Sequence, residues 1–182
     1  MCRYGFKTYK PHFVCFKCRK TFKQPLPFDL LERDNKARRY TQLQSKDSLI
    51  IEEQEELNKL NRDYFNREIK CPECGSLMAD LGLDFKAPPK TEVKRWKIIE
   101  GLYTVGHSFH TCGCTGPGFI PKDKSEYREY LKDYLASYSK QLQDVQRLDV
   151  QTSKDKNESI NYWAERVRMI ETELIKFELT FR

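Results

Sequence analysis

Cys15-Phe16-Lys17-Cys18 and Cys71-Pro72-Glu73-Cys74-Gly75 each place two thiols two residues apart. That spacing lets both sulfurs of one tight turn face a single point, with backbone N–H groups turned toward them. Two such turns supply four soft donors, the tetrahedral set that a structural Zn²⁺ takes. Cys15, Cys18, Cys71 and Cys74 are therefore the expected metal ligands, and Zn²⁺ the expected cofactor. Gly75 stands where a chain leaving a knuckle often needs positive φ. Pro72 fixes φ at the turn entry. Disulfides or free buried thiols are the other use of these cysteines. The N-terminal Met1-Cys2-Arg3-Tyr4-Gly5-Phe6 has no apolar signal core, so a reducing, cytoplasmic setting is expected, where cysteines read as metal ligands first.

A second concentration of chemistry lies between Gly106 and Gly118, where His107, His110, Cys112 and Cys114 fall within eight residues. These four are a candidate second Zn²⁺ site, or a thiol beside a histidine base. Cys-x-Cys is a less specific metal signal than Cys-x-x-Cys. No carboxylate lies close by to orient a histidine; Glu100 is the nearest upstream. The structural alternative is a glycine-rich contact loop, and no phosphate-loop spacing is present.

The net charge is +6, and residues 1–24 account for it. Arg3, Lys7, Lys10, Lys17, Arg19, Lys20 and Lys23 lie there without a single Asp or Glu. The rest of the chain is close to balanced. Aromatic residues interleave the cations: Tyr4, Phe6, Tyr9, Phe13, Phe16 and Phe22. Cations neutralise phosphates and rings stack on unpaired bases. The seven cations are therefore expected to form a nucleic-acid surface, with Phe13, Phe16 and Phe22 assigned to packing around the first knuckle. The competing view is a solvated face.

These groups need elements to hold them. The interval from Arg19 to Lys70 is long for a two-knuckle module, so an inserted sub-structure is expected over residues 28–66. Asp29 is a candidate cap for a short helix there. Leu49, Ile50, Leu57, Leu60, Tyr64 and Phe65 recur at helical spacing over residues 48–66. Short strands are expected after the second knuckle, with Leu77, Leu81 and Phe85 packing. Thr91 is read as the cap of a helix turning Val93, Trp96, Ile99 and Tyr103 inward. Two long amphipathic helices follow, over 122–148 and 159–179. The second steps Ile160, Trp163, Val167, Ile170, Leu174 and Phe177 at intervals of three and four. A polar linker over 151–158, with Asn157 or Ser159 as cap, implies an antiparallel hairpin.

The expected fold class is α+β: a small antiparallel zinc ribbon (1–27 with 67–90), a helical insertion (28–66), a short helix and Gly/His/Cys-rich loop (91–121), and a C-terminal antiparallel helical hairpin (122–182). Hydrophobic residues are 38% and charged residues 33% of the chain, too polar for one large core. No apolar run approaches the ~20 residues of a membrane span.

The two quoted cysteine motifs resemble the zinc-ribbon class. The resemblance covers residues 1–27 and 67–90 and implies the four ligands already named, with a ribbon-like local fold. Ribbons of this kind occur in ribosomal proteins, transcription factors and nucleic-acid enzymes, so the resemblance specifies metal and fold more than function. The remainder is similar to a bacterial protein type that adds no site residue. Taken with the basic, aromatic N-terminus, the expectation is a non-enzymatic RNA-binding protein associated with the ribosome, its RNA being ribosomal RNA. A protein-interaction adaptor, within transcription and docking through the hairpin, is the alternative. A redox or hydrolytic enzyme using the His107–Cys114 loop is the third.

Overall fold

A computed structural model describes residues 10–107, 109, 118–147 and 153–180. It is α+β. Among the described residues it divides into two compact units: residues 10–87 with 109, and residues 88–107 with 118–147 and 153–180.

The first unit is built on a three-stranded antiparallel sheet. β1 (His12–Cys15) pairs with β2 (Lys20–Lys23) on one side and with β3 (Ala79–Asp80) on the other. Phe13 faces Phe22 and Cys15 faces Lys20 across the first pair, so the hairpin closes around the first knuckle. Lys70 bridges Leu77, and the Cys71 N–H donates to the Ser76 carbonyl at 2.8 Å, closing the second knuckle. Val14 of β1 is buried, as are Leu81 and Phe85 after β3. Leu77, expected to pack, is 61% exposed; it flanks the knuckle, and too few layers surround that turn to cover it.

The insertion is helical: α1 (Pro27–Arg33), α2 (Ala37–Gln44) and α3 (Ile51–Leu60), the last running into a π-helical turn, Asn61–Phe65. Pro27 opens α1, where a missing N–H costs nothing. Leu26 holds the cap position and Asp29 sits inside the first turn, so the expected Asp29 cap is not made. Leu30, Leu31, Tyr40, Leu43, Leu60 and Tyr64 form the insertion's core. Ile50, expected in the helical stripe, instead holds the cap position of α3 and is 63% exposed; Ile51, the first helical residue, is 76% exposed. Arg39 pairs with Glu56 at 2.7 Å and Lys46 with Glu53 at 2.6 Å. Glu53 and Glu56 of α3 are thus paired with basic residues of α2 and its following turn.

The second unit holds α4 (Val93–Thr104), α5 (Lys124–Arg147) and α6 (Ser153–Thr180). Contacts from Tyr127 to Phe177 and from Tyr138 to Trp163 run in opposite directions along the two long helices, an antiparallel hairpin. α6 starts at Ser153, so residues 153–158, read as linker, are its first turns. Lys154, Lys156 and Glu158 are good helix formers, which outweighs the polar, turn-like composition. α4 buries Trp96, Ile98, Ile99 and Leu102. Val93 and Tyr103, expected inward, are 43% and 42% exposed. Glu92, not Thr91, holds the cap position; Trp96 and Ile99 are inward as expected, and Ile98 and Leu102 complete the buried face. Among the described residues no helix is long and apolar enough to cross a membrane.

Candidate metal centre

The hairpin β1–β2 carries Cys15 at the end of one strand and Cys18 in the connecting turn. The Lys70–Leu77 bridge encloses Cys71 and Cys74. Pairing of β1 with β3 brings the two turns together. The four sulfurs lie within 4.8 Å of one another, the one such cluster of His, Cys, Asp and Glu among the described residues. None of the four cysteines is in a disulfide.

The donor set fits a metal ion. A tetrahedron with metal–sulfur bonds of about 2.3 Å has sulfur–sulfur edges of about 3.8 Å. Cys15 Sγ and Cys74 Sγ are 3.6 Å apart. The Cys18 backbone N–H donates to Cys15 Sγ at 3.4 Å, and the Ser76 hydroxyl lies 3.4 Å from Cys74 Sγ. Such donors orient thiolates and offset their charge. Four protein sulfurs fill a tetrahedron and leave no open position for water or substrate, the pattern of a structural site.

The thiols of the cluster differ in acidity. The Ser76 hydroxyl and backbone amide pull Cys74 down to about 6. The hydrogen bond to Cys74, followed by burial, pushes Cys18 up to about 12. Burial raises Cys15. A divalent ion that takes all four as thiolates must therefore displace protons.

Both knuckles leave their second cysteine through a left-handed residue, Arg19 at φ 53° and Gly75 at φ 70°. Of the expected nucleic-acid contacts, Lys10, Lys17 and Lys23 are exposed and Arg19 is half-buried. Lys20 forms an ion pair with Glu73 of the opposite knuckle, which also holds its ammonium in the charged form. Arg3 and Lys7 lie outside the described residues.

Of the second candidate site, only His107 is described; His110, Cys112 and Cys114 lie outside the described residues. His107 Nδ1 is 2.6 Å from the Tyr130 hydroxyl, and burial lowers the ring's pKa. The ring belongs to an aromatic series that continues from Tyr130 through Tyr134 and Tyr138 to Trp163.

Sequence reasoning missed a polar contact at the base of the hairpin. Tyr127, fully buried, donates to Glu173 at 3.0 Å, and Glu173 is itself 8% exposed. A Cβ on Gly101 of α4 would fall far inside van der Waals contact with both groups. The only sequence signal was a glycine in mid-helix, which usually means close approach. Comparison with protein-family models, curated proteins and solved structures finds no match.

Proposed function

We propose that this chain is a non-enzymatic, zinc-stabilised RNA-binding protein associated with the ribosome. The observation that carries the reading is the seven-cation, acid-free segment 1–24, whose described part forms the strands and turn around the first thiol pair. Four thiolates on Zn²⁺ leave a formal charge of about −2, so the neighbouring cations exceed what the metal centre needs. Lys10, Lys17 and Lys23 are exposed. A filled coordination sphere supports a structural ion and a non-enzymatic role.

Salt titration tests it. Affinity of the zinc-loaded protein for a ribosomal RNA fragment should fall steeply with salt, by about 0.7 in log–log slope per single-strand phosphate contacted. Charge reversal at Lys10, Lys17 and Lys23 should flatten that slope. A flat response in the unaltered protein overturns the reading. The adaptor reading is favoured by Tyr134 and Tyr162, 38% and 51% exposed on the hairpin. It expects that removal of residues 122–182 abolishes partner capture while lysine reversal does little.

A further inference from the structure

The first unit contains a cavity of about 260 Å³ that the metal centre does not use. Its walls include Phe13 of β1, Pro25 and Pro27 after β2, Tyr64 and Phe65 from the π-helical turn, and Arg67 and Asp80. The volume falls below the roughly 300 Å³ at which sites for drug-sized molecules begin. It accommodates a single ring system rather than a large cofactor.

Three features point to what that ring carries. Arg67 is half-buried and has no carboxylate partner among the described residues. Its charged form is disfavoured by burial and by Arg33; an anion would relieve both. Asp80, the one acid in the wall, accepts from the Gly82 N–H at 2.8 Å through Oδ1. The wall is also braced. The π-helical turn is held by the Asn66 N–H donating to the Asn61 carbonyl at 2.9 Å. Tyr64 donates to Asp34 at 2.8 Å, and Phe65 stacks on Tyr40 at 5.0 Å between ring centres. π-helical turns of this kind gather at functional sites because they re-aim consecutive side chains. Here the turn delivers two rings to one cavity and leaves Phe65 42% exposed.

Exposed cations adjoin the walls along the chain. Lys10 precedes Pro11, whose carbonyl accepts from the Gln24 N–H, and exposed Lys23 ends β2 just before it. Aromatic walls, a guanidinium without a carboxylate partner among the described residues, and flanking lysines suit a flat ring on a polyanion better than an isolated carboxylate.

We propose that this cavity takes one unstacked nucleotide of single-stranded RNA, its base among Phe13, Phe65 and the prolyl rings and its phosphate on Arg67. This rests on the RNA-binding reading above and adds where a base is held. Single-stranded recognition of this type splays bases onto aromatic side chains and arginine planes.

Binding of a fluorescein-labelled single-stranded RNA decamer to the full zinc-loaded chain tests it. Phe65→Ala should weaken binding on the order of tenfold or more, the usual effect of losing one base–aromatic stack. Phe65→Leu keeps apolar volume without the ring, so the same loss in a variant with an unchanged melting midpoint separates stacking from folding. Arg67→Ala should lower the salt slope by about one phosphate contact. RNA carrying 4-thiouridine should crosslink to Phe13, Tyr64 or Phe65. If the decamer binds and lysine reversal weakens it while Phe65→Leu and Arg67→Ala change neither affinity nor slope, the cavity assignment falls and the RNA reading stands. If the unaltered protein binds no RNA at low salt, both fall. Tighter binding of a peptide carboxylate than of the decamer, lost in Arg67→Ala, overturns the assignment in favour of a protein partner.

Discussion

Arg19 and Gly75 occupy the same place in their two knuckles, and only Gly75 does so without steric cost. A Cβ at Gly75 meets nothing within 4 Å, so the only objection to a side chain there is its φ of 70°. Gly75→Ala should therefore cost about 1 kcal/mol, the left-handed penalty alone, read as a lower unfolding midpoint of the metal-loaded protein. Glu173 is a different kind of residue-scale constraint. Burial raises its carboxyl above the ordinary range, Glu100 adds to the rise, and Tyr127 and Lys176 oppose it. A raised folded-state pKa gives stability that is full below the ordinary carboxyl value of about 4.3 and lost as pH rises through the folded value. Glu173→Gln keeps an acceptor for Tyr127 and removes the buried charge. It should melt higher than the parent at pH 8, with the difference vanishing near pH 4 in parallel thermal scans. Tyr127→Phe should do the reverse and cost about 1–3 kcal/mol at neutral pH, because it strands a buried carboxylate.

At the scale of elements, the hairpin is secured at one end. Tyr127, Leu131, Ile170 and Phe177 are buried near its base, whereas Leu142, Val145 and Ile160 toward the far end are half-buried. Leu131→Ala should cost about 2–5 kcal/mol in denaturant unfolding. Leu142→Ala should cost less, since part of its side chain already meets water. The heptad stepping of α6 was legible because a 3.5-residue repeat is a local property of the chain. The unequal depth of burial along that seam was not. It depends on which segments cover α5 and α6; at the base α4 does so, with Gly101 against Tyr127 and Glu173. The same reason explains the faces of α4: the segments packed against it cover Ile98 and Leu102 together with Trp96 and Ile99, and leave Val93 and Tyr103 outward.

For the molecule as a whole, each unit has its own source of stability. The first combines a four-cysteine cluster with a buried apolar core that includes Val14, Leu31 and Leu81; the second buries Trp96, Ile99, Tyr127, Leu131 and Ile170 and has no metal-binding cluster among its described residues. Chelation should therefore strip amide protection from residues 12–23 and 69–80 while α5 keeps its own, as read by hydrogen exchange. Acidification should release the ion as protons compete for the thiolates. Elemental analysis should return one zinc per chain; two would assign a second ion to the segment 107–114.

The two thiol pairs, their turn residues and the helical stripes were determined by the sequence alone, since ligand spacing and side-chain period are fixed within a few consecutive residues. What only the tertiary structure decided was every meeting of distant segments: Lys20 with Glu73, Gly101 with Tyr127 and Glu173, and the π-helical turn with Phe13 and Pro25 around a cavity. Such meetings depend on sheet register and helix rotation, and a shift of one residue in either would aim the same side chains elsewhere.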